Sequence, residues 1–460
     1  MDGRQERALK WLSVGLISLV AFETLAVATA MPTVVRALDG SNLYALAMGI
    51  PMAIQLIATA LAGPWSDHKS PRSCLYTGVV LFVVGLSICT FAPAMNVFVV
   101  GRAIQGFGGG LVVVPLYTLI SRHVHPKHQP PFFAAFAAAW VLPAMVGPAL
   151  AGLVVEYGSW RWVFGFVPAV ALVAFPVLLK VVDGLPATQA TPAEGRVKRR
   201  VLFAAGAGAS VAALQVLSGT EEGSFSPAIL GAIAAAATLA FLFVRPLLPT
   251  GVFAARRGLA STVLLRIMAN GTFAGVEVFL PLLLQLVHGW SPVAAGFVLT
   301  VSSATWAIGS AIASRVTTPA KTRSITLLGV AIQLTGTALT FAGVFSGVSG
   351  IVVIVGWATT GLGIGLVFPT TTVHALAMTP TSAKGKTSSS LQIADTLGVA
   401  FCVAAGGIAY ALAMPNLTAA FGSVIALMVT ILVVALPVAR RISPLSGSPE
   451  ESVLTENESL

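Results

Sequence analysis

Apolar runs separated by short polar breaks fill almost the whole chain. The first six fall at 11–35, 43–65, 74–94, 97–120, 131–156 and 160–182. Two more follow at 201–217 and 226–248, and six close the chain near 258–287, 291–314, 323–345, 350–377, 386–412 and 417–439. A helix needs about 20 mostly apolar residues to cross the hydrocarbon core of a bilayer, so the pattern predicts an all-α, polytopic membrane protein arranged six, two, six. Residues 1–182 form a predicted six-helix bundle, 183–257 a linker with two extra helices, and 258–441 a second six-helix bundle. The Ser-, Pro- and Glu-rich stretch 442–460 is expected to be a disordered cytoplasmic tail.

Composition agrees with this pattern. Hydrophobic residues make up 56% of the chain and charged ones 9%, with a mean hydropathy of +0.91; a soluble protein could not cover its surface with so few charges. The net charge of +10 raises the question of nucleic acid, and its distribution answers it. With the N-terminus inside, basic residues collect in every second connection: Arg4, Arg7, Lys10; Lys69, Arg72; Arg122, Lys127; Lys180, Arg196, Lys198, Arg199, Arg200. The same holds for Arg245, Arg256, Arg257; Arg315, Lys321, Arg323; Lys384, Lys386; and Arg440, Arg441. Cytoplasmic loops collect Lys and Arg in this way, so the charge is a topology signal and nucleic acid binding is rejected. Both termini are expected in the cytoplasm, with the chain in the cell membrane. Leaving out both middle runs would keep the alternation, so charge alone does not separate twelve helices from fourteen; the lack of internal charge in those runs favours fourteen. A cleavable leader is considered at Ala26-Val27-Ala28 and set aside, because the apolar run continues past it. Cys74, Cys89 and Cys402 are unclustered and offer no disulfide framework or metal spacing.

The candidate chemistry is a handful of polar residues inside these runs. Glu23 sits in the middle of the first, and an ionisable group at that depth costs about 3 kcal/mol on insertion scales unless it faces a partner, a wet cavity or a proton. Its protonation state would be set by desolvation against any nearby positive charge. Span four opens with Gly101-Arg102-Ala103-Ile104-Gln105-Gly106; a buried Arg keeps its proton and needs an acceptor, while the glycines allow close helix approach. Between spans two and three lies Gly63-Pro64-Trp65-Ser66-Asp67-His68-Lys69-Ser70-Pro71-Arg72, an acid followed by bases that could clamp two helices. Span five carries Pro143 and Gly147-Pro148-Ala149-Leu150-Ala151-Gly152, suited to a bent, tightly packed helix.

These segments resemble the major facilitator superfamily, specifically its fourteen-helix drug:proton antiporter branch. Gly63 to Arg72 is similar to the loop motif G-x-x-x-D-x-x-G-x-[RK], with Gly63, Asp67 and Arg72 as the gating residues and Ser70 in place of the second glycine. Arg102-x-x-Gln105-Gly106 resembles the proton-coupling motif of the fourth helix, and Gly147-Pro148-x-x-Ala151-Gly152 the antiporter motif of the fifth. Glu23-Thr24 with Ala30-Met31-Pro32 resembles the first-helix motif D-x-T…A-L-P, with Glu for Asp, and Gly361 to Pro369 fits the branch in the second half. The loop motif's counterpart in the second half, around Gly309 to Arg323, has no acid. The resemblance implies two six-helix bundles related by a pseudo-two-fold axis along the membrane normal, a substrate cavity opening alternately to each side, and proton-driven export of small hydrophobic or amphipathic compounds, the multidrug type of activity. The alternative within the same fold is a transporter of one metabolite, sugar or lipid precursor. A membrane enzyme is disfavoured, since no nucleophile–base pair or metal cluster converges in the runs.

Three further charges lie inside predicted spans. Glu277 has no partner nearby in sequence and is a candidate second proton or substrate-cation site; Asp395, closer to the inner face, is a candidate proton-coupling residue with a solvated helix position as the alternative. Arg266 precedes Glu277 by eleven residues, about 16 Å of helix, so the two cannot pair and Arg266 is expected to snorkel to the inner interface. His123, His125 and His128 share a loop without carboxylate or cysteine, so no metal is expected. His288 and His374 read as interfacial, and Trp140, Trp306 and Trp357 as packing or lipid-facing residues. Protons are the expected coupling ion with no other cofactor, and the chain is expected to act as a monomer in the bilayer.

Overall fold

The computed structural model describes residues 3–68, 70–124, 129–185, 196–218, 226–315, 319–379 and 384–443. Among them are fourteen α-helices and no strands. The first six are α1 (Gly3–Ala37), α2 (Tyr44–His68), α3 (Pro71–Phe91), α4 (Met95–His123), α5 (Gln129–Tyr157) and α6 (Arg161–Asp183). The middle pair is α7 (Arg196–Ser218) and α8 (Pro227–Val244). The last six are α9 (Leu259–Val287), α10 (Pro292–Ala313), α11 (Pro319–Ala342), α12 (Gly350–Ala377), α13 (Lys384–Ala413) and α14 (Leu417–Ala439).

Local chemistry sets the helix starts. Ser70 accepts a hydrogen bond from the Arg72 N–H with Pro71 in the first turn of α3, Ser226 and Pro227 repeat the arrangement at α8, and Asn416 caps α14 through the Ala419 N–H. Such side chains satisfy donors that a helix cannot pair by itself. Prolines lie inside many helices, for example Pro32 in α1 and Pro143 and Pro148 in α5; these are tolerated in membrane helices where neighbours re-satisfy the freed backbone groups. Twelve helices among the described residues are long and apolar enough to cross a membrane; shorter apolar helical segments run over Leu142–Tyr157 and Val201–Leu217. Large apolar side chains face outward, Leu172 at 74% exposure and Leu202 at 65%, as lipid contact requires and water would penalise. This is a multi-pass membrane protein.

Two details of the loops differ from the sequence reading. Gly63 to His68 belong to the last turns of α2 and Pro71 and Arg72 to the first turn of α3, so most of the predicted loop motif is helix. The basic stretch Arg196–Arg200 is likewise the start of α7 and not linker. Asp67's side chain, His125, Lys127, His128, residues 186–195, Glu221, Glu222 and the predicted tail from 444 onward lie outside the described residues.

The chain divides into two compact units, Met1–Ala212 with Ser291–Thr300, and Ala213–Trp290 with Val301–Leu460. Each contains the same helix packing. On α4 the segment GRAIQGFGGGLV from Gly101 and on α12 the segment GWATTGLGIGLV from Gly356 share seven of twelve positions. In the first unit α4 fits against α3 through Gly85 at Gln105 and Gly108 at Phe82, and against α2 through Gly106 at Pro51. In the second, α12 fits against α11 through Gly336 at Thr360 and Gly363 at Gln333, and against α10 through Gly361 at Ser302. Each glycine meets backbone where a methyl group would clash, the geometry that small residues provide between membrane helices.

Candidate functional site

Glu23 and Arg102 meet. Glu23 lies midway along α1 and Arg102 two turns into α4, and they face each other because Gly106 and Gly85 let α4 settle deeply among its neighbours. Arg102 Nη1 donates to Glu23 Oε1 and, at 2.7 Å, to Gln105 Oε1, while its Nε donates to the Ala47 carbonyl at 3.3 Å. Gln105 Nε2 donates to Glu23 Oε2 at 2.6 Å. Both carboxylate oxygens are thus held, in a site where Glu23 is 1%, Arg102 3% and Gln105 5% exposed. A buried pair of this kind tolerates the loss of one partner badly, because the other charge is left without compensation. The arrangement can hold a negative charge in an apolar surrounding and can release it on protonation.

A second ion pair corrects the expectation for Arg266. It does not snorkel. Arg266 is 6% exposed, and its Nε and Nη2 donate to Asp395 Oδ1 and Oδ2 at 2.6 and 2.8 Å. Its Nη1 donates to the Phe368 carbonyl at 3.2 Å and to Thr372 Oγ1, and its guanidinium lies 3.8 Å from the centroid of the Phe368 ring. The two-pronged geometry suits a planar guanidinium and a carboxylate, and it makes Asp395 a paired residue of the helix packing between α9 and α13. Glu277, on α9, is half-buried and has no hydrogen bond or ion pair among the described residues.

The other predicted residues have varied surroundings. A Cβ at Gly63 would meet nothing within 4 Å, and one at Gly147 only the edge and carbonyl of Phe22 at 3.6 Å and beyond. Gly152 does need its small size, since a Cβ there would lie 2.7 Å from the Val293 Cα, and the Pro148 carbonyl lies against Gly296. Arg72 Nη2 donates to the Leu185 carbonyl, and Tyr76, one turn on, donates to Asp183 Oδ1 at 2.7 Å, so this end of α3 grips the exit of α6. His374 is buried rather than interfacial, with Nε2 3.1 Å from the Ile442 carbonyl. Sequence reasoning missed Glu156, which accepts from the Val293 N–H at 3.3 Å. It also missed that Phe273, Trp306, Trp357 and Phe368 form one cluster, with Phe273 stacked 4.7 Å from Trp357 and Trp306 edge-on to Phe273 and Phe368 at 5.0 and 5.7 Å.

The family model of the Major Facilitator Superfamily matches residues 12–400. The chain belongs to that superfamily. Among curated relatives of this superfamily member, Multidrug resistance protein 3 of Bacillus subtilis (strain 168) is 28% identical over 342 residues, which cover 71% of this chain and 65% of the relative. A Mycobacterium tuberculosis (strain ATCC 25618 / H37Rv) protein named as a multidrug-efflux transporter is 27% identical over 305 residues, 64% of each chain. The match thus spans just under two thirds of the length of these relatives. Solved structures share the fold at low identity. A bacterial homologue of the human lysosomal transporter Spinster superposes with a TM-score of 0.68 at 12% identity, covering 99% of both chains. A POT family peptide transporter gives 0.68 at 14%, covering 96% of this chain and 98% of that one. In this Major Facilitator Superfamily chain, the charged cluster Glu23–Arg102–Gln105 joins the first and fourth helices of the first unit.

Proposed function

We propose that this protein is a proton-coupled exporter of small hydrophobic or amphipathic compounds, of the multidrug type and of the fourteen-helix drug:proton antiporter branch. It works in the cell membrane by alternating access with both termini in the cytoplasm. The observation that carries this reading is the Glu23 carboxylate, buried in a membrane helix with both oxygens bonded, one to Arg102 and the other to Gln105. The names of the relatives support the choice of substrate class.

The coupling follows from charge. Protonation neutralises Glu23 and removes the Coulomb attraction to Arg102. Arg102 keeps its charge and then leans on Gln105 and the Ala47 carbonyl alone. The α1–α4 contact therefore has two electrostatic states, and a substrate that is favoured by one of them competes with the proton. One proton crossing 100 mV releases about 2.3 kcal/mol, enough to drive a substrate up a substantial gradient. In everted membrane vesicles with an imposed pH gradient, the wild-type chain is expected to accumulate a lipophilic dye. Glu23→Gln, which keeps the shape but does not titrate and exchanges one of the two acceptor oxygens for a donor, is expected to lose that accumulation while still binding the dye. Normal accumulation by Glu23→Gln would remove the assignment.

A further inference from the structure

We infer that Glu156 is a latch: its carboxylate holds the outer end of α10 against α5 and α1, and its release is a step in opening the outer face. The inference rests on the alternating-access reading proposed above and names a residue that controls one of its two states.

The first turn of α10 shows why a carboxylate from another helix is needed. A helix cannot pair its leading N–H groups by itself. Pro292 has no N–H, the Ala294 N–H donates to Ser291 Oγ at 3.3 Å, and the Ala295 N–H donates to the Ser291 carbonyl at 3.0 Å. The Val293 N–H is left over, and it donates to Glu156 Oε2 at 3.3 Å. Glu156 stands at the end of α5, exposed and without an ion pair among the described residues. Its charge therefore acts on the positive end of the α10 dipole, where an anion is favoured.

Beside the latch the seam is made of small residues. Pro148, Gly152 and Glu156 are spaced four apart and share one face of α5. A Cβ at Gly152 would lie 2.7 Å from the Val293 Cα and 2.8 Å from the Pro292 carbonyl oxygen. One at Gly296 would lie 2.4 Å from the Pro148 carbonyl oxygen and 3.0 Å from Thr29 Cγ2 of α1. Helices in lipid gain no hydrophobic attraction from such a seam. Its contacts are van der Waals, so the charge-assisted bond at the rim supplies the directional tie.

The latch grips only part of α10. Residues 291–300 belong to the first unit and those from Val301 onward to the second. From Ser302 on, α10 is wedged against α12 by Gly361, Gly365 and Gly309. Thr29 lies six residues beyond Glu23 on α1, about 9 Å, so in the proposed topology the seam lies on the outer side of the Glu23–Arg102 cluster. Loss of the Val293 bond loosens the start of α10 from α5 and α1 while its contacts with α12 remain.

The test uses the full-length chain in intact cells, with Thr29→Cys as reporter and a membrane-impermeant maleimide added outside. Thr29 is fully buried and its hydroxyl has no hydrogen-bond partner among the described residues. A thiol there loses no bond and reacts only when the seam opens. Cys74, Cys89 and Cys402 are buried, and the chain without the reporter gives their background. Added to the reporter, Glu156→Ala is expected to raise the labelling rate about tenfold. Glu156→Gln, which keeps an oxygen acceptor without the charge, is expected to raise it about threefold. Tyr157→Ala, at the neighbouring position that is 79% exposed, is expected to leave it unchanged. Because Glu156→Gln keeps the shape of the side chain, it carries the test even if Glu156→Ala folds poorly. A wild-type rate in the Glu156 variants, or an equal rise in Tyr157→Ala, overturns the latch. If the vesicles export dye and the Glu156 variants label at the wild-type rate, this inference fails and the exporter reading stands. If the ranking holds but no pH gradient drives export, the exporter reading fails and the latch stands.

Discussion

Arg266 and Asp395 form a buried, two-pronged ion pair between α9 and α13. The rule that a membrane-embedded charge needs a partner applied equally to Arg102 and Arg266. It led to Glu23 for the first, because a motif placed both residues, but the partner of Arg266 stands 129 positions away on α13, beyond any local spacing rule. The cluster of Phe273, Trp306, Trp357 and Phe368 was hidden for a different reason: aromatic residues inside apolar runs look alike whether they face lipid or one another. The ion pair has a direct consequence for stability. Arg266→Leu leaves Asp395 buried without its cation, which costs about 3–5 kcal/mol for pairs of this kind, and should lower the melting temperature of the purified protein clearly. Combining it with Asp395→Leu should recover most of the loss, since the pair is then replaced by apolar contacts. A single variant as stable as the wild type would mean that the pair is not buried in the bilayer.

Among the elements, the glycine-lined seams are the most exacting features. The sequence marked Gly106, Gly147 and Gly152 as packing residues; a Cβ at Gly106 would meet the Pro51 backbone and one at Gly152 the Val293 backbone, while Gly147 has room. A motif names positions, but only the neighbouring helix decides which of them needs a bare Cα. Gly361→Ala should therefore reduce folded yield and thermal stability, because its Cβ would strike the Ser302 backbone of α10. Gly231→Ala on α8, where nothing lies within 4 Å, should be neutral or slightly stabilising, as replacing an open helical glycine usually is. Thermal aggregation of the two variants in parallel checks this, and equal behaviour would contradict it. Helix existence was largely legible from apolar run length; helix limits were less so, since α1 begins at Gly3 and α7 at Arg196, where polar residues continue the helix beyond the apolar stretch.

At the scale of the molecule, run count led to fourteen helices, the number found among the described residues, twelve of them long and apolar enough to cross a membrane. The repeat between GRAIQGFGGGLV and GWATTGLGIGLV lies open in the sequence, but its meaning appears only once both segments are seen wedged by glycines against corresponding helices. At matching positions the first unit holds the Arg102–Glu23 pair and the second the stacked rings of Trp357 and Phe273. The central claim is that the Glu23 proton is exchanged in the transport cycle, and substrate-driven proton movement tests it most directly. Purified protein is reconstituted in liposomes containing a pH-sensitive dye, an ethidium gradient is imposed, and the internal pH is followed. The wild-type chain should move protons against the ethidium flow, and Glu23→Gln should move none while still binding ethidium. Equal proton movement by the two would contradict the account.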